Sequence, residues 1–142
     1  MSCGIGLFNP KHPINVGSCL RAAKCFNVQF VVSTGRRYKR VASDTPNTPQ
    51  HIPFFSSVEN LKDYIPFNHV PVAVDLISTA KSIVDYQHPP QAFYIFGPED
   101  GTLGNSITSW CRDIIYVPTV HCMNLAATVH VVLYDRMYKN EH

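Results

Sequence analysis

Short, continuous apolar runs alternate along this chain with stretches of helical period, and that alternation limits the fold more than any other feature. Ile5-Gly6-Leu7-Phe8, Val28 to Ser33, Val70 to Leu76, Ala92 to Phe96 and Ile114 to Val117 read as five strands, rich in β-branched and aromatic residues. Val16, Cys19, Leu20, Ala23 and Phe26 recur at helical spacing and predict a first helix from about Ile14 to Cys25, with Pro13 where helices often begin. Helical patterns follow near Ser56–Ile65 and Asn105–Trp110, a turn of helix is expected around Lys81–Tyr86, and a long helix closes the sequence. Strands without polar alternation are buried on both faces. With helices between them, they predict an α/β fold on a parallel sheet covered from both sides.

A chain of 142 residues is expected to form one domain, 1–142, and to bury roughly 70% of the surface its unfolded form exposes. Apolar residues make up 45% of it and charged residues 15%, which excludes a disordered chain. No apolar run nears the roughly 20 residues that cross a bilayer, so no membrane partner is expected. No signal-peptide pattern opens the sequence. Cys3, Cys19, Cys25, Cys111 and Cys122 are scattered without C-x-x-C spacing, which predicts neither a disulfide framework nor a metal site. Reduced, mostly buried thiols and a cytoplasmic location are the expectation.

A dinucleotide-binding domain would carry a glycine-rich turn after its first strand. Here that turn is Asn9-Pro10-Lys11-His12-Pro13, and the glycines gather instead at Gly97, Gly101 and Gly104, after the fourth predicted strand. The ligand loops are therefore expected late in the chain, where Gly97 and Gly101 permit positive φ and close backbone approach. The run Gly35-Arg36-Arg37-Tyr38-Lys39-Arg40 opens a polar, proline-rich loop reaching Pro53. Four cations around one tyrosine offer phosphate contacts and a stacking surface, the combination used on single-stranded or looped RNA. The net charge of +2 alone would prove no such partner.

Three segments carry a resemblance: Asn15-Val16-Gly17-Ser18-Cys19-Leu20-Arg21, Phe96-Gly97-Pro98-Glu99-Asp100-Gly101, and Val117-Pro118 with Met123-Asn124-Leu125. In order and spacing they resemble the three motifs of the SPOUT class of RNA methyltransferases, in its SpoU/TrmH branch, over about Ile5 to Tyr138. The resemblance implies a SPOUT fold with a C-terminal trefoil knot, an exception to the rule that chains do not knot. It implies S-adenosyl-L-methionine as cofactor, no metal, and methyl transfer to a ribose 2′-oxygen of RNA. The RNA implied is tRNA first, with the wobble nucleotide as a candidate, and rRNA as the other possibility. The implied cofactor contacts are Val74, Asp75, Leu76, Gly97, Pro98, Glu99, Gly101, Val117, Pro118, Cys122, Met123 and Leu125. The implied catalytic set is Arg21, Asn15, Glu99 and Asn124, with Asn15 capping the first helix. The implied RNA contacts are Lys11, Arg36, Arg37, Tyr38, Lys39 and Arg40.

Arginine ionises above pH 12 and is a poor general base, so Arg21 is expected to clamp an RNA phosphate and orient the 2′-hydroxyl. Cys122 and Ala126 stand where the family usually has serine; a thiol hydrogen-bonds weakly and alanine not at all. A non-catalytic RNA-binding module of the same fold is the alternative, and a base-methylating SPOUT enzyme a third reading. The final helix has two apolar stripes: Leu125, Val129, Val132 and Leu133, then Ala127, Val131, Tyr134 and Tyr138. One stripe is expected to face the sheet and the other a second subunit, giving a homodimer. His121 and His130 are expected to be structural.

Overall fold

The computed structural model describes residues 1–36, 52–99 and 101–141. In chain order the elements are β1 (Ser2–Leu7), α1 (Pro13–Cys25), β2 (Phe30–Thr34), β3 (Phe54–Val58), β4 (Val70–Val74), β5 (Lys81–Ser82), β6 (Gln91–Phe96), α2 (Asn105–Thr108), β7 (Asp113–Tyr116) and α3 (Leu125–Glu141). The strands form one sheet in the order β3-β2-β1-β6-β4-β7-β5, and every pairing is parallel. This is the expected α/β architecture. Two strands were not foreseen. Phe54–Val58 is an edge strand, and the predicted 56–65 helix is only a 3₁₀ turn at Leu61–Tyr64. Phe55 and Ser57 face outward between half-buried neighbours, a two-residue alternation that a helical pattern overlooks. The turn of helix expected at Lys81–Tyr86 begins as the short strand β5 and continues as a 3₁₀ turn at Ile83–Asp85.

β6 runs through the middle, and Ala92 to Phe96 are no more than 2% exposed. One face of the sheet packs Val16, Cys19, Leu20 and Ala23 of α1 with Leu125, Val129, Val132 and Leu133 of α3. The opposite face packs Leu61, Leu103 and Ile107 against Val32, Ala73, Phe93 and Ile95. The glycines of β1 make room for aromatics. A Cβ at Gly4 would lie 2.3 Å from the Phe30 ring and one at Gly6 2.8 Å from the Phe93 ring, and those two rings stack at 5.8 Å.

The end of the sheet at the strand N-termini is tied to α3 by a buried polar network. Arg136 donates to the carbonyls of Ser2, Pro89 and Pro90 and to the Tyr94 hydroxyl. Tyr94 in turn donates to His88 Nδ1 at 2.6 Å, and His88 Nε2 donates to Asp135 at 2.7 Å. Burial pushes the His88 imidazole below its usual range, against the opposing pull of Asp135. Lys139 closes the network on Asp135 at 3.0 Å. No helix among the described residues is long and apolar enough to cross a membrane.

Candidate functional site

Parallel strands deliver their C-terminal ends to one edge of the sheet, where ligands of open α/β sheets bind. Here the ends of β4, β6 and β7 open into a shallow cleft of about 170 Å³. Its lining contains Val74, Asp75 and Leu76 after β4, Gly97, Pro98, Glu99 and Gly101 after β6, Val117 after β7, and Cys122, Met123 and Leu125 at the start of α3. Eleven of the twelve residues expected to contact a cofactor thus line one cavity; Pro118, exposed, does not. Phe96, Tyr116, Thr119 and Thr128 line it too and were not foreseen. Phe96 and Tyr116 immediately precede expected residues. Thr128 lies one helical turn after Asn124 and donates to its carbonyl at 2.9 Å, so helical spacing could have found it.

Of the glycines in the late loops, Gly104 adopts positive φ, at 79°, and Gly97 does not. A Cβ at Gly97 would meet Leu103 at 3.4 Å, an ordinary contact. Neither backbone strain nor internal packing demands glycine at 97, which leaves its open side toward the cleft. Asp75 is committed to the loop itself: its carboxylate accepts from the Leu103 amide at 3.1 Å.

Asn15 and Asn124 are absent from the cleft lining and bond to each other beside it, Asn124 lying between the lining residues Met123 and Leu125. Asn124 Oδ1 accepts from the Ala127 amide at 3.0 Å, capping α3, while its Nδ2 donates to Asn15 Oδ1 at 3.0 Å. Asn15 is not the cap of α1. His12 holds that position, because Pro13 already adopts helical geometry, and Asn15 sits within the first turn. Glu99 accepts from the Lys11 amide through both oxygens, at 3.2 and 3.4 Å, and His12 Nε2 lies 3.9 Å away. The carboxylate therefore joins the late loop to the turn after β1. Burial, with the Glu99 charge adding to it, pushes the Cys19 thiol up to about 12, so that thiol is inert.

Arg21 is exposed on α1 and is absent from the cleft lining. Six residues along a helix turn it about 120° from Asn15, onto the face of Ile14, which is 73% exposed. Arg36 is exposed just after β2, whereas Arg37, Tyr38, Lys39 and Arg40 lie outside the described residues. Cys122 is exposed at the cleft, while Ala126 is buried in the core, so only the first departure from serine faces a ligand. The thiols are less buried than expected: Cys3 and Cys19 are covered, Cys25 and Cys122 exposed. His130 Nδ1 donates to the Ala126 carbonyl at 2.7 Å, a structural role as expected; His121 is exposed. Among the described residues no group of three or more His, Cys, Asp or Glu could hold a metal ion.

No match among curated proteins was found by sequence. Solved structures are similar to this fold. The TrmH/SpoU tRNA modifying enzyme of A. aeolicus superposes with a TM-score of 0.86 at 14% identity, over 99% of this chain and 76% of that one. The SpoU methyltransferase AviRb from Streptomyces viridochromogenes, in complex with AdoMet, gives 0.82 at 17% identity over 97% of this chain. This chain covers 57% of the AviRb chain, less than two thirds of its length. A structure described as giving insights into the 2-OH methylation of C/U34 on tRNA gives 0.79 at 17% identity, over 99% and 97% of the two chains. At these identities the superpositions show a shared fold alone. The model of the SpoU rRNA Methylase family matches residues 3–134, nearly the whole sequence, and this chain belongs to that family.

Proposed function

We propose that this protein is an S-adenosyl-L-methionine-dependent RNA 2′-O-ribose methyltransferase acting on tRNA, with the wobble ribose as first candidate and rRNA as the alternative substrate. The observation that carries the reading is the cleft made by the ends of β4, β6 and β7 and the start of α3, with α3 hydrogen-bonded beside it to α1 through Asn124 and Asn15. Its walls fit the cofactor. Val74, Leu76, Phe96, Val117 and Leu125 offer apolar surface for a flat purine, and Gly97 leaves backbone open beside it. The loops after β4, β6 and β7 would hold the adenosine part through main-chain groups. When bound, the cofactor supplies an electrophilic sulfonium methyl, so much of the acceleration can come from alignment.

This chain's residues then bind and orient the acceptor. Arg21 clamps a phosphate and turns the 2′-hydroxyl toward the methyl. In support, its guanidinium is exposed and makes no ion pair among the described residues. Glu99 holds the loop carrying Lys11, and Asn124 sets the approach of α3 to α1. Lys11, Arg36, Arg37, Tyr38, Lys39 and Arg40 grip the RNA. The unit is a single domain with the family's knot, working in the cytoplasm as a homodimer. Supporting the dimer, the second α3 stripe is uncovered: Val131 is 38% and Tyr134 and Tyr138 each 50% exposed. Calorimetry with S-adenosylhomocysteine tests the cofactor assignment; binding of NAD or ATP with no heat from either S-adenosyl compound would reject it. Cofactor and RNA binding without methyl transfer would favour the non-catalytic module, in which Cys122 replaces a needed serine.

A further inference from the structure

The turn after β1 and the loop after β2 are locked together at their roots. The Asn9 amide donates to Thr34 Oγ1 at 3.0 Å, and the Thr34 hydroxyl donates back to Asn9 Oδ1 at 2.9 Å. That exchange uses the hydroxyl's one proton, and Thr34 is only 6% exposed. Asn9 adopts φ 49°, a left-handed conformation that asparagine tolerates but that persists only when its surroundings fix it. Gly35 lies against it at φ 87°, where a Cβ would meet Asn9 Oδ1 at 3.0 Å. Ser57 Oγ of β3 then donates to the Gly35 carbonyl at 3.0 Å. Two residues beyond Asn9 is Lys11, whose amide is held by Glu99 at the cleft; two residues beyond Thr34 is Arg36. Two hydrogen-bonded links, Glu99 to Lys11 and Asn9 to Thr34, and the short stretches of backbone between them therefore connect the cleft loop to the start of the basic loop.

We propose that Asn9 and Thr34 are positioning residues for RNA: they hold Lys11 and Arg36 as one phosphate-gripping unit, registered to the cleft through Glu99. The proposal rests on the RNA-methyltransferase reading above. Neither residue touches the cofactor cleft, so RNA binding should respond and cofactor binding should not.

The test is fluorescence anisotropy with labelled unfractionated tRNA, and total rRNA as a second probe, across a salt series. It is paired with calorimetry of S-adenosylhomocysteine and thermal melts. Thr34→Val keeps the shape and removes the hydroxyl; RNA should bind about three- to tenfold more weakly, with a salt slope shallower by about one. Thr34→Ser should restore both affinity and slope, and S-adenosylhomocysteine binding should stay within about twofold throughout. Asn9→Gly accepts the same φ and should reproduce the Thr34→Val effect, which keeps the proposal testable should Thr34→Val fold poorly. Wild-type RNA affinity and slope in a folded Thr34→Val, or in Asn9→Gly, would overturn the proposal alone. Equal losses of RNA and cofactor binding would reduce the pair to a structural role and also overturn it. Salt-insensitive or absent RNA binding by the wild type would instead reject the RNA reading, and this proposal with it.

Discussion

Replacing Asn124 by alanine should loosen the start of α3, which flanks the cleft, by an amount that its hydrogen bonds allow to be worked out. The side chain caps α3 through the Ala127 amide and bridges to Asn15. Loss of an asparagine cap costs about 1 kcal/mol. The bridge is exposed, so it adds about 0.5 kcal/mol, the low end for a side-chain hydrogen bond. Asn124→Ala should therefore cost about 1.5 kcal/mol. With an unfolding entropy of about 2.1 cal/mol/K per residue over this chain, that is a fall in Tm of about 5 °C. Asn15→Ala loses only the bridge and gains about 0.5 kcal/mol of helix propensity, so it should be close to neutral. Urea titration of both single variants and the double, followed by far-UV circular dichroism, should give a coupling of about 0.5 kcal/mol. A coupling near zero would refute the bridge, and an Asn124→Ala variant as stable as wild type would refute the cap.

Gly97→Val should abolish S-adenosylhomocysteine binding in calorimetry while the circular dichroism spectrum stays native, because the added methyls reach the cleft; retained affinity would move the ligand elsewhere. Arg136→Met should cost about 3 kcal/mol or more in urea denaturation, since it strips a charged donor from the carbonyls of Ser2, Pro89 and Pro90. Because burial holds His88 below its ordinary range, the unfolded chain binds that proton first as pH falls. Stability should be full above about pH 6.5 and decline below it. His88→Gln should shrink the loss seen between about pH 7 and pH 5.5; an unchanged loss would assign it to other groups.

The central strands and the cleft were legible because their signals are local. Ala92 to Phe96 is continuously apolar, and the loops after it carry glycine and proline at a strand end. What was missed depends on contacts distant in sequence. Phe54–Val58 alternates weakly because one of its faces is only half covered, and its last residues, from Ser56, merge in sequence into a helical pattern that runs to Ile65. Asn15 was expected to cap α1, but its hydrogen-bonding partner is 109 residues away. Likewise His88, Tyr94, Asp135 and Arg136 look unremarkable in sequence, and only the packing of α3 on the start of β6 makes them one buried network. Arg21 was identified through its motif, and the helix geometry turns it away from Asn15 rather than into the cleft.

The most direct test of the account is nucleoside mass spectrometry of tRNA and rRNA incubated with the purified protein and isotopically labelled S-adenosylmethionine. The account predicts one labelled 2′-O-methylated nucleoside, with its formation rate falling about 10³-fold in Arg21→Ala. Label on a base, or no label in any RNA despite cofactor binding, would contradict it.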